Sequence, residues 1–265
     1  MNPVISLKNV SKVYGRFSKS KTAINNISFD VFPGKIIGYI GPNGAGKSTT
    51  IKILTGAIGD FTGDVNILGM DIRNDAVNIK KRIGYIPENA SLYEVLTPLE
   101  YLQFIGQLYS MEVDLISEKA QKLLQLFELN QVSKQRISTF SKGMKQKVLL
   151  ISGLIHNPDI IFLDEPLSGL DANSVIMVKE VLRQLALEGK TIFYSSHLMD
   201  VVEKISDRIM LIANGEIIAD GTFDELSKGN ENQSLEALFS QLTGVNDQTS
   251  RAGEFIKELH NNGSN

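Results

Sequence analysis

Cysteine and tryptophan are absent from this sequence of 265 residues. Without cysteine the chain has neither a disulfide framework nor thiolate chemistry, which excludes a disulfide-stabilised fold and a cysteine nucleophile. No apolar run approaches the length of about 18 residues that a membrane-spanning helix requires, so we expect no span. The opening Met-Asn-Pro-Val-Ile-Ser lacks a basic stretch followed by an apolar one, so we expect no signal peptide.

Acidic residues slightly outnumber basic ones: the chain has 27 Lys and Arg, 30 Asp and Glu, and a formal net charge of −3. Domains that bind nucleic acid are usually basic, so we expect no nucleic-acid partner. The hydrophobic content of 42% and charged content of 22% are typical of an ordinary globular protein. The length suits one large α/β domain, or a core with a smaller subdomain.

A glycine-rich run matches the phosphate-binding pattern of Gly, four residues, Gly, Lys and Ser or Thr. The run is Gly41-Pro42-Asn43-Gly44-Ala45-Gly46-Lys47-Ser48-Thr49. Its glycines let backbone N–H groups turn towards phosphate oxygens at a helix N-terminus. Lys47 is expected to neutralise the β- and γ-phosphates, and Ser48 to coordinate Mg²⁺. An ordinary glycine-rich turn is the alternative, which a predicted strand over 35–40 and helix over 48–54 disfavour.

Apolar strand-like runs alternate with helical patterns along most of the chain, which predicts a parallel sheet covered by helices. Near the start, 5–10 and 27–31 alternate between apolar and polar residues and predict antiparallel strands. Asn214-Gly215 is a strong signal for a tight hairpin turn. The remaining predicted strands are 64–68, 82–86, 160–163, 191–194, 208–213 and 216–219.

Helical patterns dominate from Thr97 to about Asn130. Thr97-Pro98-Leu99-Glu100 is typical of a helix start, with a Thr cap, Pro in the first turn and Glu three residues after the cap. A second helix is predicted over 114–128, and a later one over 235–242. The predicted apolar face of the 114–128 helix comprises Leu115, Ala120, Leu123, Leu124 and Phe127.

Two carboxylates, Asp164 and Glu165, end the apolar run 160–163. In P-loop ATPases the first such Asp holds Mg²⁺, and a carboxylate directly after it can activate water as a general base. A strand that ends in a solvated acidic turn is the alternative. The position of the pair, about 115 residues after the glycine-rich run, disfavours that alternative.

Five further stretches, in order, resemble the nucleotide-binding subunit of ATP-binding-cassette (ABC) transporters. They match the family's adenine-stacking aromatic, Q-loop, signature, D-loop and switch histidine, and they are Tyr14, 85–88, 141–146, 167–171 and 195–197. The resemblance spans about 4–243. It implies an α/β fold with a P-loop NTPase (RecA-like) core, an antiparallel β subdomain and a helical subdomain inserted over about 88–157. The cassette is then 1–243, and 244–265 is a C-terminal tail.

The resemblance also implies a role for each matched residue. Tyr14 would stack on adenine, with Phe17 as a rival and an ordinary strand-end aromatic as the alternative. Glu165 would polarise the attacking water, and His197 would hold the γ-phosphate and orient Glu165, so that Lys47, Glu165 and His197 are catalytic. A helix-terminal histidine without a ligand is the alternative for His197.

Two chains would build each site. The resemblance implies that Ser141 and the amide of Gly143 contact the γ-phosphate of ATP bound to the opposite subunit, and that Asp171 connects the two sites. Asp171 is also predicted to cap a helix. The implied partners are a second ATP-binding subunit, with a homodimer expected, and an integral membrane permease that meets the helical insert. The implied location is the cytoplasmic face of the cell membrane.

This sequence departs from the family pattern in the signature and the Q-loop. The common signature Leu-Ser-Gly-Gly-Gln is here Phe140-Ser141-Lys142-Gly143-Met144, which adds a cation and removes an amide side chain. Glu88 replaces the Q-loop Gln, and a carboxylate there is a candidate Mg²⁺ ligand. We hypothesise that Glu88 is a metal-linked sensor that connects the nucleotide site to the partner protein. Both departures resemble the branch of bacterial-type exporters of drugs, antibiotics, lipids or polysaccharides.

Alternatives stay open at this point for the function, for one loop and for the tail. The chain could be a soluble cassette ATPase that acts on ribosomes or DNA, or a regulatory nucleotide-binding module with little turnover. The basic, Ser-rich stretch 15–21 is interpreted as a loop near the adenine, with a solvated loop favoured. The tail carries one apolar cluster, Phe255, Ile256 and Leu259, which indicates either a frayed end or a docking helix.

Overall fold

The β-strands lie in two sheets in the computed structural model, which describes residues 2–15, 20–88, 92–228, 234–244 and 254–259. One sheet is antiparallel with strand order β2-β1-β4-β5, and the other has the order β10-β9-β3-β8-β7-β6. The strands are β1 (Ile5–Tyr14), β2 (Lys21–Val31), β3 (Ile36–Ile40), β4 (Thr62–Ile67), β5 (Met70–Asp71), β6 (Ile83–Ile86), β7 (Ile160–Asp164), β8 (Thr191–Ser195), β9 (Arg208–Ala213) and β10 (Glu216–Gly221).

The six-stranded sheet is parallel except for its edge strand β10. Every residue of β3, β7 and β8 is buried. Strands of a parallel sheet covered on both faces are expected to be mostly apolar, and the polar residues Asp164, Thr191 and Ser195 occur here only at strand ends. Because parallel strands share one direction, β3, β6, β7 and β8 end at the same edge of the sheet, and the glycine-rich loop, Glu88, Glu165 and His197 follow those ends.

Helices cover this sheet and connect its strands. They are α1 (Lys47–Leu54), α2 (Ala76–Lys80), α3 (Pro98–Leu108), α4 (Val113–Leu126), α5 (Lys142–Leu154), α6 (Ala172–Leu187), α7 (Met199–Ile205), α8 (Phe223–Leu226) and α9 (Leu235–Thr243). The capping box predicted for α3 is confirmed, since Thr97 Oγ1 accepts from the Glu100 amide at 3.3 Å and Glu100 Oε2 accepts from the Thr97 amide at 2.8 Å.

The predicted apolar face of α4 was wrong at its first residue. Leu115 is 43% exposed, whereas its neighbour Ile116 is fully buried. Ile116, Ala120 and Leu124 recur every four residues and form the buried stripe of this helix. Adjacent residues on a helix point about 100° apart, so the stripe that buries Ile116 leaves Leu115 directed towards solvent.

Two apolar clusters hold the fold together, one on each face of the central sheet. Side chains alternate between them along β7, where Ile160 and Phe162 join one cluster and Ile161 and Leu163 join the other. The first cluster lies against the antiparallel sheet, and Phe193 stacks there on Phe29 with ring centroids 6.0 Å apart. The second joins the sheet to α3, α4 and α5.

The predicted hairpin between β9 and β10 is confirmed. Asn214 and Gly215 both have positive φ, at 50° and 81°, as a two-residue turn with two left-handed positions requires. The Gly215 amide donates to the carbonyl of Ala45 at 3.0 Å. The hairpin therefore supports the glycine-rich loop from the side.

Two findings concern membrane contact and the tail. In the residues that the structure describes, none of the helices combines the length and the apolar character needed to cross a bilayer. Residues 254–259 are helical, and the cluster predicted there is largely exposed, with Phe255 at 64%, Ile256 at 50% and Leu259 at 61%.

Candidate active site

The glycine-rich loop joins the end of β3 to the start of α1. Gly46 occupies the N-cap of α1 with φ of 115°, a backbone conformation that residues other than glycine rarely adopt. A Cβ at Gly46 would also lie 2.5 Å from the carbonyl oxygen of Ala23. Close packing and backbone conformation therefore both require glycine here. The free N–H groups of the first turn of α1 face the loop, as an anion site needs.

Lys47 places a buried cation within this loop. The residue is 9% exposed, and its Nζ donates to the carbonyls of Gly41 at 2.7 Å and Pro42 at 3.3 Å. Burial lowers the pKa of Lys47, while the carboxylates of Glu165, Asp164 and Glu88 oppose that change. A buried cation that faces three carboxylates and two carbonyls is suited to bind a polyanion together with a metal ion.

Asp164 and Glu165 lie at the end of β7, beside the loop. Asp164 is 4% exposed, and its Oδ1 accepts a hydrogen bond from Ser195 Oγ at 2.6 Å. Glu165 has φ of 51°, in the left-handed region, and its amide donates to the Ser195 carbonyl at 3.0 Å. Such strained positions cost about 1–3 kcal/mol and concentrate at functional sites. The end of β8 thus holds both carboxylates in place.

Glu165 is also paired with His197. His197 Nδ1 lies 2.8 Å from Glu165 Oε2, and Ser196 Oγ donates to the same oxygen at 3.2 Å. The Glu165 side chain is 11% exposed and the His197 side chain 65%. A carboxylate held by a hydroxyl and an imidazole is the arrangement of an oriented general base, since the neighbours fix its rotamer and leave an oxygen for water.

A cavity of about 600 Å³ collects these groups, within the range of ligand sites. Its lining comprises Tyr14, Lys21, Ala23, Asn43, Gly44, Gly46, Lys47, Ser48, Thr49, Glu88, Asp164, Glu165 and His197. Gly41, Pro42 and Ala45 do not line it. The first two give their carbonyls to Lys47, and Ala45 bonds to Pro42 and to the hairpin turn.

Lys21 and Ala23, at the start of β2, line the cavity but were missed as site residues. The basic composition of the stretch that ends at Lys21 was the available signal. It failed because a lysine beside a loop is more often solvated than directed at a ligand. Phe17, the predicted rival for adenine stacking, lies outside the described residues.

Tyr14 lies at the open end of the cavity and is 42% exposed. Lys12 Nζ is 4.9 Å from the centre of its ring. We predict that Tyr14→Ala weakens ATP binding about 5- to 100-fold, since aromatic–base stacking contributes about 1–3 kcal/mol. Tyr14→Phe should bind as the parent does. Titration with a fluorescent ATP analogue measures both, and equal affinity for the Ala variant and the parent would contradict stacking by Tyr14.

Ser141, Gly143 and Asp171 are separate from the lining of this cavity. Ser141 caps α5, and its Oγ accepts from the Met144 amide at 3.2 Å. Asp171 caps α6 as predicted, and it accepts from the Ser174 amide at 2.9 Å and the Ser174 hydroxyl at 2.6 Å. These two bonds hold the pKa of Asp171 well below its usual range. One chain therefore presents two distinct polar surfaces.

The residues around the cavity fit a nucleoside triphosphate with Mg²⁺. Mg²⁺ in phosphate sites is usually held by one or two carboxylates together with phosphate oxygens and water. Ser48, Asp164 and Glu88 line the same cavity as Lys47 and supply oxygen ligands of that type. Within the ranges that the structure describes, no group of three or more acidic or imidazole side chains is placed to hold a metal.

A protein-family model described as ABC transporter matches residues 24–168, more than half of the chain. The chain belongs to the ATP-binding subunits of ABC transporters. Membership of this family makes it an ATP-binding ATPase cassette. It is 36% identical to the linearmycin resistance ATP-binding protein LnrL of Bacillus subtilis over 84% of this chain and 70% of that protein.

Solved structures share the fold of the cassette. A structure described as the ATP binding subunit of an ABC transporter has a TM-score of 0.82 and 30% identity, over 90% of this chain and 99% of that one. The cassette MJ0796, solved as a dimer bound to ADP and Pi in a post-hydrolysis state, has a TM-score of 0.77 and 25% identity, over 82% and 98%. The predicted α/β P-loop NTPase fold is confirmed.

Proposed function

We propose that this cassette works as one half of an ATP-bound dimer that drives a separate membrane permease, and that the permease is an exporter. The observation that carries the proposal is the split between two surfaces. Lys47, Asp164, Glu165 and His197 meet at one cavity, while the signature residues lie on another part of the chain. A two-fold pair of chains would bring the signature of each to the cavity of the other, which makes two identical sites.

Each residue of the cavity has a proposed task in hydrolysis. Lys47 holds the negative charge of the β- and γ-phosphates. Glu165, oriented by His197, accepts a proton from the water that attacks the γ-phosphorus, while the bond from that phosphorus to the bridging oxygen breaks. Mg²⁺, when bound by Ser48 and Asp164, supplies positive charge that balances the phosphate oxygens. We propose Glu88 as a further metal-linked residue.

The signature surface has a proposed task in the dimer. Ser141 and the Gly143 amide contact the γ-phosphate of the opposite chain, and the N-terminal end of α5 adds its dipole. Asp171 connects the two sites. The proposed cassette comprises residues 1–243, with the helical subdomain over about 88–157 and the tail over 244–265.

A second cavity, of about 480 Å³, is the proposed contact with the permease. It lies between the α2–β6 region and the α3–α5 helices, and its lining comprises Val77, Lys80, Lys81, Tyr85, Pro87, Tyr101, Ile105, Leu108, Tyr109, Leu149, Ser152 and Gly153. Pro87 directly precedes Glu88, so this groove adjoins the candidate metal residue. Its lining combines tyrosines and aliphatic side chains with the exposed Lys80 and Lys81. The fitting occupant is an amphipathic cytoplasmic helix of the permease with acidic residues on its polar face.

The direction of transport is proposed from the signature, from Glu88 and from the relatives. The Ser-Lys-Gly-Met signature and Glu88 resemble exporter cassettes. LnrL is named a linearmycin resistance protein. YbhF of Escherichia coli and of Shigella flexneri, 34% identical over 90% of this chain and 41% of those proteins, is named a probable multidrug ABC transporter ATP-binding protein. A permease-bound cassette of this kind is peripheral on the cytoplasmic face of the membrane.

We predict that Glu165→Gln protein captures a multi-spanning permease from detergent-solubilised cells in the presence of ATP and Mg²⁺. The added exchanges Lys80→Glu and Lys81→Glu should reduce recovery at least several-fold, because they place negative charge against an acidic helix. Mass spectrometry of the captured proteins measures both effects. The matched control carries Lys122→Glu and Lys134→Glu, two exposed lysines outside the groove with the same change in net charge.

Other recovered proteins would overturn specific parts of this proposal. Ribosomal or DNA-bound proteins without a membrane partner would favour a soluble ATPase. Equal loss of the permease in the groove variant and the charge-matched control would mean that net charge governs recovery, and undiminished recovery in the groove variant would place the contact elsewhere on the surface.

A further inference from the structure

The N-terminal half of α5 is fastened to the loop 166–171 of the same chain. The contacts run along one side of the helix, and each joins a residue of the signature region to the loop. They are Lys142 Nζ to Ser168 Oγ at 3.0 Å, Gln146 Nε2 to the Pro166 carbonyl at 2.9 Å, Lys147 Nζ to Asp171 Oδ2 at 3.4 Å, and Gly143 against the Gly169 carbonyl. The signature and the loop therefore form one connected unit within a single chain.

Close packing around Gly169 reinforces these contacts. A Cβ at Gly143 would lie 2.5 Å from the carbonyl oxygen of Gly169, so the helix approaches the loop backbone directly. The side chain of Lys142 extends beside Gly169, where a Cβ would lie 3.1 Å from its aliphatic carbons. Movement of the N-terminal end of α5 must therefore displace the loop as well, because packed backbone at this distance does not slide freely.

The loop begins at the residue that follows Glu165. Its turn closes on Glu165 itself, because the Ser168 amide donates to the Glu165 carbonyl at 3.2 Å. Gln146 is 7% exposed, and its buried amide donates to the carbonyl oxygen of Pro166. Pro166 is the residue that follows Glu165 in the chain. Glu165 has a strained backbone, and strained positions persist only where their surroundings hold them. Ser195 holds Glu165 from one side, and Gln146 holds the chain on the other.

We propose that Gln146 is a positioning residue for ATP hydrolysis, supported by Lys142, and that it transmits contact at the signature to Glu165 of the same chain. This inference depends on the proposed function, in which Ser141 and Gly143 meet the nucleotide of the opposite chain. Binding at the signature of one chain then sets the catalytic carboxylate of that same chain. Occupancy of one nucleotide site thereby affects hydrolysis at the other site.

The first test replaces Gln146 by methionine in the full chain with Glu165 intact. The kcat for ATP should fall about 10- to 100-fold, because displacement of a catalytic group by about 1 Å has costs of that order. The KM for ATP should stay within about twofold of the parent, because Gln146 donates to Pro166 and neither residue is among those that line the nucleotide cavity. Thermal unfolding of the same sample reports whether the chain has folded.

The second test uses the exposed contact, which can be removed without a cavity in the core. Lys142→Met and Ser168→Ala should each lower kcat a few-fold, and the double variant should lose no more than the larger single loss. Lys142→Arg keeps a donor for Ser168 and should restore most of the rate. Lys122→Met is the control, since it removes an exposed lysine–glutamate contact on α4, where Nζ lies 2.6 Å from Glu118.

Several results would overturn the inference. Unchanged kcat in Gln146→Met would do so directly. A raised KM, or a weaker ATP-dependent dimer when Gln146→Met is combined with Glu165→Gln, would assign Gln146 to nucleotide binding. If Lys142→Met lowers kcat and Ser168→Ala does not, Lys142 acts by direct contact with a phosphate of the nucleotide. Failure of Glu165→Gln alone to dimerise with ATP would contradict the proposed function instead, and so separates the two.

Discussion

Glu165→Gln is expected to lower ATP turnover about 10²- to 10⁴-fold, the usual contribution of a general base. Glutamine has nearly the shape of glutamate, so contacts with Ser196 and His197 need not be lost, but an amide does not accept the proton of the attacking water. ATP should still bind, since Lys47 and the loop are untouched. Phosphate release in a coupled assay measures the turnover.

The same variant should accumulate as an ATP-bound dimer. Hydrolysis is what would part the two chains, and with the base removed the ATP stays between them. Light scattering at millimolar ATP with Mg²⁺ measures the mass. Glu188→Gln is the matched control, because Glu188 is an exposed glutamate at the end of α6 and outside the cavity. Turnover close to that of the parent would show that another group activates the water, and a monomer at millimolar ATP would contradict the two-chain site.

Lys47→Met is expected to weaken ATP binding by about two orders of magnitude or more. Loss of one member of a buried, hydrogen-bonded charged contact costs about 2–5 kcal/mol. The carboxylates of Asp164 and Glu165 would then face the phosphates without this cation, and the carbonyls of Gly41 and Pro42 would lose their donor. Isothermal titration with ATP and Mg²⁺ measures the affinity.

Lys52→Met is the control for this loss of charge. Lys52 lies in the last turn of the same helix, is exposed, and does not line the cavity. The control should bind ATP as the parent does. Similar weakening in both variants would mean that net charge, rather than the position of Lys47, governs affinity, and unfolding of Lys47→Met would show as a lowered melting temperature.

Local signals in the sequence were sufficient for much of the fold. The capping box at Thr97 and the turn at Asn214-Gly215 were predicted correctly, because each depends on contacts within a few residues. The buried strands β3, β7 and β8 were also predicted, since a parallel sheet covered on both faces requires continuous apolar runs. The glycine-rich run also predicted its structure correctly, because its local pattern encodes the conformation of the loop backbone.

Prediction failed where the outcome depends on which neighbour a side chain meets. Leu115 and Ile116 are both apolar, and only the packing of α4 decided that Ile116 is buried. Lys21 lines the cavity because β2 pairs with β1, which brings a residue from an unremarkable basic stretch next to the glycine-rich loop. Gln146 ends the stretch that resembles the family signature, but no local pattern predicts its contact with Pro166, which lies 20 residues away.

By itself the sequence determined which chemistry to expect of this protein, because the residue types that its family uses to bind phosphate, hold Mg²⁺ and activate water occur in fixed local patterns. It determined the family for the same reason. Only the tertiary structure decided which groups meet: Ser195 with Asp164, His197 with Glu165, and α5 with the loop after Glu165. Those contacts join separate strands and helices, and their geometry follows from the register of the sheet and the packing of the core, which no short pattern of residues encodes.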